Sequence, residues 1–167
     1  MATPTNLPAA EVAYTELAAS WLNDLRGAFR ILQVVYGSTT TQVSNSTTTP
    51  VDTTLTATIT PQSTSSKVLV LVNQNGALKG AGNAANAVNV QLMRGATNIQ
   101  NITLSAGYTN TLLENRLGTI AGMVLDTPAT TSAVTYKTQF YNDLNAAAVL
   151  VQILNEVSSI VLMEVSA

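Results

Sequence analysis

The chain carries few residues from which an active site could be assembled. Its 167 residues include no histidine and no cysteine, which removes zinc sites of the usual N/S kind, cysteine nucleophiles, and the Ser-His-Asp and Cys-His arrangements. Carboxylate chemistry or a Ser/Lys pair is what survives. The nine carboxylates, Glu11, Glu16, Asp24, Asp52, Glu114, Asp126, Asp143, Glu156 and Glu164, could in principle supply a glycosidase-like acid and base. Their spacing singles out no pair, and they read as solvated or capping groups. Ser66 and Lys67 are adjacent, but neighbours on a strand point to opposite faces, so a nucleophile and base pair there is discounted. The stretch Gly76-Ala77-Leu78-Lys79-Gly80-Ala81-Gly82 lacks the Gly-Lys-Ser/Thr order of a phosphate loop and reads as a flexible surface loop. Asn45-Ser46-Thr47 and Asn101-Ile102-Thr103 match the glycosylation acceptor pattern, which arises often by chance in so threonine-rich a chain. The expectation is a protein that is not an enzyme, with no catalytic residues, no metal site and no cofactor.

Charge is as sparse as chemistry. Charged residues make up 10% of the chain and the net charge is −2. The seven cations, Arg26, Arg30, Lys67, Lys79, Arg94, Arg116 and Lys137, are scattered singly, so no stripe is available to track phosphates and nucleic acid is not an expected partner. The N-terminal residues lack a basic region followed by an apolar one, and every apolar run is interrupted well before 18 residues, so neither a signal peptide nor a membrane span is expected. A chain of this length makes one domain, or one domain with an arm, large enough to bury a core.

The elements that would position these groups divide at residue 30. Ala10, Tyr14, Leu17, Trp21, Leu25 and Phe29 recur at spacings of three and four, which predicts one amphipathic helix with Glu11 and Glu16 near its start and Arg26 and Arg30 near its end. After Arg30 the period falls to two, β-branched residues dominate, and turn signals come every eight to twelve residues. This predicts a mainly β domain over residues 31–167 behind a helical arm over residues 1–30. Strands are expected near 31–36, 40–44, 51–60, 67–74, 87–94, 98–104, 117–125, 133–141, 147–154 and 159–165, with a Gly-, Ala- and Asn-rich loop over 73–86.

Three of these strands do not alternate. Residues 31–36, 68–72 and 160–165 are apolar on both faces, whereas a strand in a two-sheet sandwich has one inward face. The second face must meet the N-terminal helix or another subunit. A single helix covers only part of a sheet, which makes a homo-oligomer the more economical explanation.

Several stretches of the chain resemble virion structural proteins of tailed bacteriophages, especially those of aquatic and cyanobacterial hosts. They are Ala19-Ser20-Trp21-Leu22-Asn23-Asp24, Phe29-Arg30-Ile31-Leu32-Gln33-Val34-Val35, the run from Ile59 to Val68, Leu92-Met93-Arg94-Gly95-Ala96-Thr97, the run from Leu125 to Lys137, and Ser158-Ser159-Ile160-Val161-Leu162-Met163-Glu164. The resemblance covers nearly the whole chain from Ala19 onward. It implies an antiparallel jelly-roll β-sandwich of the C1q and tumour-necrosis-factor type, forming a homotrimer through sheets near the first and last strands, with Ile31, Leu32, Val34, Tyr36, Ile160, Leu162 and Glu164 as interface residues. A short chain with an arm and one knob looks like a capsid decoration or cement protein. On that reading Tyr14, Leu17, Trp21, Leu25, Arg26, Phe29 and Arg30 form a docking helix for the major capsid protein, on the outer surface of a particle assembled in the host cytoplasm. The alternative is a head or tail fibre knob whose loops, 73–86 and 105–116, bind a host-surface receptor or glycan.

Overall fold

The structure, a computed structural model, describes residues 31–166. The expected helical arm, with Tyr14, Leu17, Trp21, Leu25, Arg26, Phe29 and Arg30, lies outside the described residues. The strands are β1 (Ile31–Thr39), β2 (Val43–Asn45), β3 (Val51–Ile59), β4 (Lys67–Lys79), β5 (Val88–Arg94), β6 (Thr97–Ala106), β7 (Asn115–Asp126), β8 (Val134–Asn142), β9 (Val149–Val151) and β10 (Ser158–Val165), with a short 3₁₀ turn over Ile153–Asn155. Alternation makes the pattern plain on β3, where Thr53, Leu55, Ala57 and Ile59 are buried while Asp52, Thr54, Thr56 and Thr58 face water.

These strands form an antiparallel sandwich of a six-stranded and a four-stranded sheet. The larger sheet runs β1-β10-β4-β9-β2, with β7 paired to the other side of β4; the smaller runs β3-β8-β5-β6. The three strands expected to be apolar on both faces, β1, β4 and β10, are therefore neighbours in one sheet. At Gly37 β1 passes so close to β3 that an added Cβ would lie 2.3 Å from the Thr56 carbonyl oxygen.

Two apolar clusters fill the space between the sheets. Leu55, Ile59, Val68, Val70, Leu92, Tyr136, Ile160 and Leu162 belong to one, and Ala77, Val88, Val90, Ile120, Phe140, Val149 and Val151 to the other. Along β4 Gln74 falls between them, and along β8 Thr138 does. There a buried hydrogen-bonded chain crosses the core: Thr53 meets Thr138, whose hydroxyl donates to Gln74 Oε1 at 2.9 Å, and Gln74 Nε2 donates to Ser158 Oγ at 3.0 Å. Each group gives up water only because it gains a partner.

The segment 73–86 departs from the sequence expectation. Asn73–Lys79 is no loop: β4 continues through it and stays paired to β7, with the register shifting at a bulge around Gly76, whose φ is +60°. Gly76–Lys79 are buried, so the first half of the expected loop is core, while residues 80–87 form a loop as expected, with Ala81 and Gly82 exposed. Of the inward positions in this part of β4, Gln74, Ala77 and Lys79, two are polar, which erased the apolar alternation that marks the rest of the strand. Lys79 is wholly buried, and its ammonium donates to Thr109 Oγ1 at 2.9 Å and to the carbonyls of Thr111 and Leu113 at 2.6 and 3.0 Å. All three donors are used, and the loop joining β6 to β7 is folded around them.

Candidate interaction surface

The outward side of the larger sheet is apolar across four strands. Register places Tyr36, Val161, Leu71 and Met123 in one row over β1, β10, β4 and β7, and Val34, Met163, Leu69 and Leu125 in the next. Strands about 4.8 Å apart make each row about 14 Å long. Tyr36 is 63% exposed, Met123 64%, Val34 57% and Leu125 52%, with the four central residues half-buried among them. Ile31 and Val165 continue the face at one end, and at the other the polar residues Ser38, Ser159 and Asn73, with Ala121 beside them on β7, close it. Contiguous apolar rows of this kind on a free surface mark a place where another surface docks.

The interface residues expected from the sequence divide on this sheet. Ile31, Val34 and Tyr36 are exposed on the outward side, and Leu32 is the extra residue of a bulge between Ile31 and Gln33. Ile160, Leu162 and Glu164 are wholly buried in the sandwich and cannot touch another subunit. The outward residues of β10 are Val161 and Met163, one position away. In a run apolar on both faces the sequence carries no phase, so the wrong alternate set looks as good as the right one. Leu69 and Leu71 sit in a run the sequence did flag, whereas Met123 and Leu125 were missed because Gly118 and Gly122 thin out the pattern of β7.

Glu164 works inside the fold. Gln33 Nε2 and the Gln62 backbone N–H, the latter at 2.7 Å, donate to its two oxygens and tie the 60–66 loop to β10 and β1. Burial pushes its carboxyl up, but these hydrogen bonds outweigh burial and hold it below the usual carboxylate range. Asp52 is also held low: its partial burial is outweighed by hydrogen bonds from Lys137, at 2.8 Å, and Gln139. A third carboxylate, Asp126, joins the two sheets. Arg94 Nη1 lies 2.8 Å from each of its oxygens, and the buried Tyr136 hydroxyl donates to Oδ2 at 2.7 Å. Burial and the adjacent carboxylate push the Tyr136 phenol well above its ordinary value.

The other sequence candidates separate. Ser66, just before β4, is buried and Lys67, the first residue of β4, is exposed, so the two do not face one site. Asn45 is buried, with its amide nitrogen donating to Thr49 and Phe140 carbonyls, which leaves no access for a glycan. Among the described residues no group of three acidic side chains is gathered as a metal site would require. Compared with known proteins, the chain matches no family model, and no curated protein matches it.

Proposed function

We propose that this chain is a non-enzymatic structural subunit of a tailed-phage virion, a capsid decoration or cement protein. Its β domain trimerises through the outward face of the larger sheet, and its N-terminal arm holds the outer capsid shell. The observation that carries this reading is the pair of four-residue apolar rows, because a face 14 Å wide on a free chain costs solubility unless a second surface covers it. The eight long strands support the jelly-roll reading: counted among themselves, they lie in the order first, eighth, third, sixth in one sheet and second, seventh, fourth, fifth in the other. The stretches resembling phage virion proteins support the location. Many modest contacts repeated over a shell lattice then give avidity without a strong single site.

A fibre knob is the second reading, and the β6–β7 loop favours it. Tyr108, Leu112 and Leu113 project into water there from a loop fixed on the Lys79 ammonium, and exposed side chains on a held loop suit recognition.

Two measurements test the proposal. Light scattering on the purified full chain is expected to give a trimer, and a monomer at micromolar concentration overturns the interface. Quantitative mass spectrometry of purified virions is expected to give hundreds of copies. A few dozen copies means a fibre or tail component, and absence overturns the virion reading.

A further inference from the structure

The outward side of the smaller sheet is the chemical opposite of the apolar face. Register places Asp52, Gln139, Gln91 and Asn101 in one row over β3, β8, β5 and β6, and Thr56, Lys137, Met93 and Asn98 in the next. Each row is about 14 Å long. Side-chain hydrogen bonds run head to tail across the strands: Asn98 Nδ2 donates to Gln91 Oε1 at 3.0 Å, Gln91 Nε2 to Gln139 Oε1 at 3.0 Å, and Gln139 Nε2 to Asp52 Oδ1 at 2.7 Å. Asn98 Nδ2 also donates to Asn101 Oδ1 at 2.9 Å, and Lys137 Nζ to Asp52 Oδ2 at 2.8 Å. On the other side of the Gln139 row Tyr141 lies opposite Asn89. Asp143 rims that end, accepting from the Asn89 amide and the Ser105 hydroxyl.

A sheet face that meets only water keeps its polar side chains solvated. Here Gln91 is 8% exposed and Asn89 2%, although both alternate with the core residues Val88, Val90 and Leu92 and so point outward. Fixing side chains of this length costs rotamer entropy, and a surface ordered before contact loses less on binding. Gln91 is used up, its two N–H groups going to Gln139 and to the Met93 sulfur. Capacity is left around it: among the described residues the Asn101 amide nitrogen, Asn98 Oδ1 and one N–H of Gln139 have no partner, and Asp52 keeps free lone pairs.

We infer that this face binds a neutral oligosaccharide, laid along the Asp52–Asn101 row with one sugar ring against Tyr141. The chemistry of the rows selects this class. Met93, their one aliphatic member, is buried, so an apolar protein anchor or a lipid finds nothing to pack on. The Lys137 charge is balanced by Asp52, and Asp143 adds a second carboxylate, so a phosphate, a sulfate or a nucleic acid meets net negative charge. What is left is a fixed, closely spaced mixture of free donors and free acceptors, which suits hydroxyl groups because each of them both donates and accepts. Tyr141, half-buried beside the row, supplies the flat apolar surface that the C–H side of a sugar ring needs. The site lies on the opposite sheet from the apolar face, so this inference is independent of the trimer and virion readings.

The test is heteronuclear NMR on the full chain, read on the side-chain amide signals of Gln139, Asn98 and Asn101. The chain is titrated with maltohexaose, mannohexaose and xylohexaose in turn, each to about 10 mM, enough to occupy a millimolar site. Saturable shifts with at least one of them are expected on these amides and not on the backbone of Leu69 or Leu71. Asn101→Ala, at an exposed side chain, is expected to weaken binding about fivefold and Tyr141→Ala about tenfold, while Tyr141→Phe binds like the parent. If Tyr141→Ala fails to fold, Asn101→Ala and the competing ligands still decide. The inference is overturned by the absence of a saturable shift with all three sugars, or by binding that Asn101→Ala leaves unchanged. Equally tight binding of a heparin hexasaccharide overturns it in favour of an anion site, and equal shifts with acetyl-Gly-Ser-Gly-amide overturn it in favour of a peptide.

Discussion

Leu71 on β4 and Met123 on β7 are directly opposed in the ladder, and both side chains point away from the core. Cross-strand apolar neighbours stabilise a sheet by fractions of a kcal/mol, so this exposed pair adds little to the fold of a single chain. Replacing Met123 and Tyr36, each more than 60% exposed, by Glu should leave the subunit's melting temperature nearly unchanged. On the trimer proposed above, it should leave a monomer in light scattering. Loss of the fold, or a trimer that persists, would show that the interface is elsewhere.

The Asp126 junction should be worth more than a surface ion pair, because Tyr136 is buried and has no other partner for its hydroxyl. Tyr136→Phe leaves the ring packing intact and removes one hydrogen bond to a charged acceptor. A loss of about 1–2 kcal/mol in urea denaturation is expected. A loss under about 0.5 kcal/mol would mean that water replaces the phenol at Asp126.

Acid should weaken the fold through Glu164 and Asp52. Both carboxyls titrate lower folded than unfolded, so on acidification the unfolded chain takes up protons first and stability falls as pH drops below about 4. The stabilisation is fully present above the unfolded carboxylate range. Glu164→Gln should lower the melting temperature at pH 7 and flatten its fall between pH 5 and pH 3. An unchanged slope would mean that Glu164 contributes nothing to the acid limb.

Lys79 should govern one loop more than the whole fold. Lys79→Met removes a costly buried charge together with three hydrogen bonds, and these oppose one another in global stability. The Thr111 and Leu113 carbonyls lose their common donor in either case. Amide exchange is expected to accelerate at least tenfold over residues 107–114 while β4 and β7 stay protected. Equal acceleration in all three would make Lys79 an ordinary core residue.

All ten strands were legible in the sequence, because Val51–Ile59 and Val134–Phe140 alternate and Pro61 and Pro128 punctuate. So was the grouping of apolar excess on the first, last and central strands. Two things were not. The continuation of β4 through Gln74 and Lys79 is hidden because polar residues occupy its inward positions, paid for by partners 30 or more residues away: Thr138, Ser158 and the 109–113 loop. The phase of β10 is hidden because Ile160 and Val161 are equally apolar, and only the pairing of Glu164 with Gln33 and Gln62 shows which set faces in. A carboxylate at the end of an apolar run reads as a surface group until its donors are located in the fold.

Ile31 opens β1 directly opposite Val165 at the close of β10, and Val165 lies opposite Lys67, where β4 begins. The chain therefore enters and leaves the sandwich at one pole. β4 climbs 13 residues from there to Lys79, roughly 40 Å, to an opposite pole where the β6–β7 loop folds around the Lys79 ammonium. A subunit built this way has a direction. Were the residues before Ile31 to attach it to a surface, as proposed, the Lys79 end would lie outermost, and a reporter fused after the last strand would sit at the attached end without crowding the free one.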